Sequence, residues 1–175
     1  MPYAITLLLD DQSAAKIYAM YKVLSDLKIS HDQINLGYPP HLTLATLDDT
    51  ADVQEVVDNL SYIAGGWRSC SVSLVGFGLF PGMSSTLWVC PVMTTELFQR
   101  HAALCAVLPA SLLKDYYRPN RWVPHVTLAK DLAEPSAALI AVQDLGLPIK
   151  ATFVEINLIH FRPPNVLWRL PLECM

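Results

Sequence analysis

Two short runs, His41-Leu42-Thr43-Leu44 and His125-Val126-Thr127-Leu128, repeat the same residue types at the same spacing, and each follows a proline, Pro40 and Pro124. Read as a strand, such a run turns its histidine and threonine to one face and the residues between them to the other. In the first copy this alternation sets His41, Thr43 and Ala45 on one side and Leu42 and Leu44 on the opposite side. A phosphate ester held between two such imidazoles meets a base in the neutral one and an acid in the protonated one. The base takes a proton from attacking water or hydroxyl and the acid gives one to the departing oxygen, each transfer typically contributing about 10² to 10⁴ in rate. The threonine hydroxyls can donate to the non-bridging oxygens, where negative charge builds. This scheme calls for neither metal nor cofactor, and no carboxylate or thiol sits near the motifs at ligand spacing.

The elements that carry the motifs follow from periodicity. Residues 3 to 9 read as a buried strand that stops at Asp10 and Asp11, either of which can cap a helix. Ile17, Tyr21, Leu24 and Leu27 then recur at helical spacing to about residue 28, and a polar loop containing His31 leads to the strand 41 to 47. Asp48, Asp49 and Thr50 open a second helix marked by Val53, Val56, Val57, Leu60 and Ile63, which ends at Gly65 and Gly66. Strands are predicted at 71 to 80 and 86 to 92 around a Pro-Gly turn. A helix capped by Thr94 or Thr95 follows, with Leu97, Phe98, Leu104, Cys105 and Leu108 as its apolar set. The second motif strand begins near Val123, a last helix fits 135 to 145 with Pro135 in its first turn, and 151 to 161 and 165 to 172 close as a hairpin.

Placed side by side, the halves show the same order of strand, helix, His strand, helix, strand. The offset of 84 residues that superposes the motifs also sets Leu87 on Tyr3, and Phe80 to Trp88 echoes Phe161 to Trp168. The expected fold is therefore α+β. One bilobal domain spans 1 to 175, with repeats of about 1 to 82 and 83 to 175. Two pseudo-twofold lobes of mainly antiparallel sheet, with flanking helices, enclose a cleft.

Composition narrows the partners. The chain is 53% apolar and 16% charged with a formal net charge of -4, so it can bury a core and lacks the basic surface that grips a long duplex. Cys70, Cys90, Cys105 and Cys174 have no paired spacing and read as reduced thiols of a cytoplasmic protein. The opening MPYAITLLLDD lacks a basic region and ends in aspartates, which fits a central strand and not a signal peptide or membrane span. No glycine-rich phosphate loop or Gly-x-Ser-x-Gly elbow occurs.

Around the motifs, Tyr38, Tyr116, Tyr117 and Trp122 offer faces on which an unpaired base could stack. Lys114, Arg118, Arg121 and Lys130 make the second motif's surroundings locally basic. His31, His101 and His160 have no counterpart in the other half, and packing is their expected role.

The paired motifs HLTL and HVTL, in corresponding places of two halves, resemble the 2H phosphoesterase superfamily, in particular its 2′-5′ RNA ligase and RNA 2′,3′-cyclic phosphodiesterase members. The resemblance implies a metal-independent phosphodiesterase that opens 2′,3′-cyclic phosphates of small nucleotides or RNA ends. Its alternatives are a 2′-5′ ligase or 2′-5′ phosphodiesterase activity, or a non-catalytic nucleotide or RNA binder on the same fold. It implies His41 and His125 as the acid and base, and Thr43 and Thr127 as phosphate holders. Substrate contacts are expected from Lys130, Tyr38, Tyr117, Trp122 and Arg121, in a monomer. RNA-processing members often continue the second motif as Leu-Ala-Arg, where this chain has Leu128-Ala129-Lys130. Lysine keeps the charge and loses the bidentate fork.

Overall fold

The computed structural model describes residues 2–173. Its strands are β1 (Tyr3–Leu9), β2 (His41–Leu47), β3 (Cys70–Phe80), β4 (Ser85–Pro91), β5 (Val126–Leu132), β6 (Ile149–His160) and β7 (Asn165–Pro171). The helices are α1 (Asp11–Asp26), α2 (Asp32–Leu36), α3 (Val53–Ala64), α4 (Thr95–Val107) and α5 (Pro135–Val142). Three helices start on side-chain caps that accept backbone N–H groups of the first turn: Asp10 and Thr94, which the sequence offers, and Asp52, which caps α3 in place of the expected Asp48, Asp49 or Thr50. Two further details differ from the sequence reading. Residues 32 to 36 wind into a short helix within the predicted loop, ended by left-handed Gly37. The second His strand is paired only from Val126, because 115 to 117 form a 3₁₀ turn and irregular backbone continues to His125.

The strands form one seven-stranded sheet in the order β1-β2-β5-β4-β3-β6-β7, with β1 also paired to β6, and every pairing between them is antiparallel. The fold is thus α+β with the expected antiparallel character. The third strand of each half pairs with the first strand of the other half: β3 with β4, and β6 with β1. One lobe's sheet is β2-β1-β6-β7 and the other's is β5-β4-β3-β6, with the long β6 serving both. Two further pairings join equivalent strands, β2 to β5 and β3 to β6, and both run antiparallel, as they would about a twofold axis normal to the sheet. The helices are exchanged as well. Helix α1 packs on α5 and against β5 and β6, while α4 packs on α3 and beside β2.

The main apolar core runs through both lobes and includes the fully buried Ile5, Leu7, Leu42, Leu44, Leu74, Val89, Val126 and Phe153, with a small second cluster of Ala4, Tyr38 and Ile159. Burying a side chain of this size contributes roughly 1.5 to 3 kcal/mol. The lobes are therefore welded together and fix the cleft between them. Cys70, Cys90 and Cys105 are free thiols, and Cys174 lies outside the described residues. Among the described residues no helix is long and apolar enough to cross a membrane.

Candidate active site

The motifs are aimed by alternation and then by a bulge. Leu42 and Leu44 are fully buried while His41 and Thr43 are only half-buried, and the same holds for Val126 and Leu128 against His125 and Thr127. The register of β1 on β2 slips between Ile5 and Thr6, so that Ile5 faces Ala45 and Thr6 faces Thr43. One extra residue in β2 reverses the alternation beyond it. Ala45, which period-two reading puts on the cleft face, is buried, and Thr46 lines the cleft in its place. β5 repeats the device. Leu87 pairs with Ala129 and Trp88 with Thr127, Ala129 is buried, and Lys130 turns to the side of His125 and Thr127. Thr46 and Lys130 are equivalent positions under the 84-residue offset.

The two histidines are held alike. His41 Nδ1 lies 2.8 Å from the Pro39 carbonyl and His125 Nδ1 lies 2.8 Å from the Val123 carbonyl. A carbonyl can only accept, so each Nδ1 carries a proton and each Nε2 is the ring nitrogen left for a substrate. Around them the halves diverge. The Tyr38 ring meets His41 edge-on at 4.9 Å, whereas Phe80 and Trp88 lie 5.0 and 5.8 Å from His125. Trp88 fits because position 78, directly opposite it on β3, is glycine. A Cβ there would stand 2.0 Å from the indole.

Burial disfavours the imidazolium form of both rings. It holds His41 down at about 4, with smaller contributions from the Lys130 and His125 charges, and it holds His125 below its ordinary value, again with help from Lys130. Lys130 is itself pushed down, first by burial and then by Arg162.

Each motif is braced from the other half. The Trp122 indole N–H donates to the Thr43 carbonyl at 3.0 Å, and the Tyr21 hydroxyl donates to the Thr127 carbonyl at 3.0 Å. Trp122 is in turn stacked on His101 at 4.1 Å, and His101 Nε2 lies 2.9 Å from the Tyr117 carbonyl, so His101 packs behind the site wall.

One cavity of about 670 Å³ collects His41, Thr43, His125, Thr127, Lys130, Tyr117, Trp122 and Arg121. Such a volume suits a nucleotide-sized ligand. Tyr38 is not in its wall. The ring is buried among Ala4 and Ile159, its hydroxyl is bonded to Thr6 at 2.8 Å and to the Asn157 amide at 3.0 Å, and it buttresses His41 in place of the base-stacking role its position suggests. The basic segment is largely neutralised internally, Lys114 by Asp48 at 2.8 Å, and Arg118 and Arg121 by Asp115.

The cavity's ends are equivalent in backbone and different in chemistry. At one end Tyr116, Tyr117 and Trp122 surround Thr46, and the Tyr117 phenol lies beside the Thr43 and Thr46 hydroxyls. At the other, the corresponding segment supplies Asp32 and Gln33, and Asp32 accepts the Lys130 backbone N–H at 3.0 Å. Phe161 and Arg162, from the turn between β6 and β7, complete this end. Sequence reading missed Asp32, Thr46, Phe80, Phe161 and Arg162. The offset that links Thr46 to Lys130, and the echo of Phe80 in Phe161, were the available signals.

A two-lobed α+β protein with a His-x-Thr from each half facing one cavity defines a phosphoesterase-like class. The 2′-5′ RNA ligase superfamily profile matches residues 13–164, and the chain belongs to that superfamily, the 2H phosphoesterases. No curated protein sequence matches it. Among solved structures it is similar to TT0787 of Thermus thermophilus, with a TM-score of 0.70 at 16% identity over 99% of each chain. It is also similar to E. coli LigT complexed with NADP+, with a TM-score of 0.60 at 18% identity over 98% of this chain and 96% of that one. Kluyveromyces marxianus Usb1 with uridine monophosphate gives 0.52 at 14% identity over 98% and 97%. At these identities the likeness is one of fold.

Proposed function

We propose that the protein is a metal-independent phosphodiesterase that hydrolyses the 2′,3′-cyclic phosphate of a nucleotide or RNA end. The observation that carries this reading is the matched pair of imidazoles. Each is locked by an Nδ1–H bond to the carbonyl two residues earlier, and both line one cavity together with both motif threonines.

In the proposed reaction a cyclic phosphate sits between the two Nε2 atoms. Water attacks phosphorus as the neutral imidazole takes its proton, the bond to the 2′ or 3′ oxygen breaks, and the protonated imidazole supplies that oxygen's proton. The product is a phosphomonoester with a free hydroxyl. Thr43 and Thr127 donate to the non-bridging oxygens in a site where protein replaces water. Fold neighbours crystallised with NADP+ and uridine monophosphate support a nucleotide as the ligand.

The test is incubation of the pure protein with the four nucleoside 2′,3′-cyclic phosphates in EDTA, with the products resolved by chromatography. Turnover that persists in EDTA and falls by at least about two powers of ten in both His41→Ala and His125→Ala is expected. Absence of turnover on all four sinks the reading for mononucleotides, and loss of activity in EDTA sinks the two-histidine scheme. Cleavage of 2′-5′ linked dinucleotides, with the cyclic phosphates left intact, would assign the alternative activity.

A further inference from the structure

Two cations lie over the Phe161 ring. The Lys130 ammonium lies 5.5 Å from its ring centroid and the Arg162 guanidinium carbon 5.4 Å from it, and all three side chains line the cavity that holds the histidines. Among the described residues neither cation is ion-paired. The two carboxylates of this end are already engaged: Asp32 by the Lys130 backbone N–H, the Gln33 amide and the Ser30 hydroxyl, and Asp131 by the Ser84 hydroxyl. Arg162 also has φ of 76°, in the left-handed region that costs a non-glycine residue about 1 to 2 kcal/mol. Two like charges beside one ring, one of them on strained backbone, oppose each other, the Asp32 and Asp131 charges act the other way on Lys130, and an anion placed between the two cations would be attracted by both. Burial first and the Arg162 charge next depress the Lys130 pKa, while the Asp32 and Asp131 charges raise it.

We propose that Lys130, Phe161 and Arg162 form a second phosphate subsite, so that the protein selects substrates carrying another phosphate on the nucleoside that bears the cyclic one. The proposal rests on the hydrolytic reading above and narrows its substrate. The motif centre takes the scissile phosphate, the Tyr116, Tyr117 and Trp122 end offers aromatic surface to a base, and the Lys130 and Arg162 end takes the second anion. The guanidinium fork suits a phosphate's paired oxygens, while the ammonium adds a point charge. The phosphate has two possible sources: a terminal 5′-phosphate, or the next phosphodiester of an RNA chain.

Three substrates separate these cases: adenosine 2′,3′-cyclic phosphate with a free 5′-hydroxyl, the same compound with a 5′-phosphate, and a dinucleotide ending in the cyclic phosphate. The expected kcat/KM is at least about tenfold higher for one or both phosphate-bearing compounds than for the 5′-hydroxyl compound, as a charge-assisted hydrogen bond supplies. Which of them gains identifies the source. The gain is expected to shrink in 1 M salt, where the screening length is about 3 Å, and Arg162→Gln is expected to bring the ratio to within about twofold of one. Equal kcat/KM on all three substrates, or a ratio unmoved by Arg162→Gln, overturns the subsite. No turnover of any of them overturns the hydrolytic reading itself, so the two failures are distinguishable.

Discussion

Leu42 and Val126, the middle residues of the two motifs, face each other as the paired position between β2 and β5, and both are fully buried. Everything polar in the motifs is placed by this contact, because His41 and Thr43 flank one partner and His125 and Thr127 the other. Leu42→Ala is expected to cost about 2 to 5 kcal/mol, read from urea unfolding, through lost burial and an unfilled cavity. It is also expected to lower the activity of the remaining folded protein, since the His strands lose their lateral reference. A variant that loses stability and keeps full specific activity would show that the alignment comes from elsewhere.

The pH dependence follows from the direction of the histidine shifts. The active form needs one proton on the imidazole pair, and burial holds His41 at about 4 and His125 below its ordinary value. The profile of kcat/KM, which reports the free enzyme, is therefore expected to be a bell whose maximum lies on the acid side of about 6.5, with apparent pKa values that belong to the pair. The profile of kcat is expected to lie at higher pH, because a bound phosphate anion favours imidazolium. A kcat/KM maximum at about pH 8 would contradict this.

Stability carries the same shift with its own sign. An unfolded histidine titrates near 6.5 and folded His41 near 4, so on acidification through that window the unfolded chain binds a proton that the folded chain does not. Folding stability is expected to fall as pH drops from about 6.5 to 4, by at most about 3 kcal/mol from this residue. His41→Gln should flatten the slope of unfolding free energy against pH in that interval.

Gly78 gives the Trp88 ring its place against His125. Gly78→Ala puts a methyl where the indole lies, so the ring must move and the support of His125 with it. The expected outcome is a loss of about 1 to 3 kcal/mol in stability together with reduced kcat, followed by unfolding curves and steady-state rates. An unchanged kcat would separate Trp88 from the positioning of His125.

Tyr21 and Trp122 make the reciprocal braces on the motif threonines. Tyr21→Phe deletes one donor to a backbone carbonyl, at about 1 kcal/mol of stability, while Trp122→Phe costs more because it also removes part of the ring that stacks on His101 and packs on the core. A positioning role further predicts that Tyr21→Phe lowers kcat with little change in KM, a split that a purely structural bond would not produce.

Much of the site was legible in the chain because its signals are local. The His-x-Thr spacing fixes which side chains leave one strand face together, the caps at Asp10 and Thr94 fix where two helices begin, and the duplicated order of elements points to a twofold arrangement. These depend on windows of a few residues or on comparing one half with the other, and so the sequence by itself determined the fold class and singled out four residues that share one cavity.

Tertiary structure decided what depends on pairing partners distant in the chain. Nothing in either half says that β3 and β6 change places, since both fit either lobe by pattern, and the choice is made by the core they jointly bury. A bulge is a one-residue slip between two strands, invisible in either strand alone, yet it buries Ala45 and Ala129 and turns Thr46 and Lys130 to the cavity. Tyr38 and Phe161 show the same limit for single side chains. Both are aromatic and lie near strand ends, and only their neighbours in space make one a buried support for His41 and the other a ring contacted by two cations.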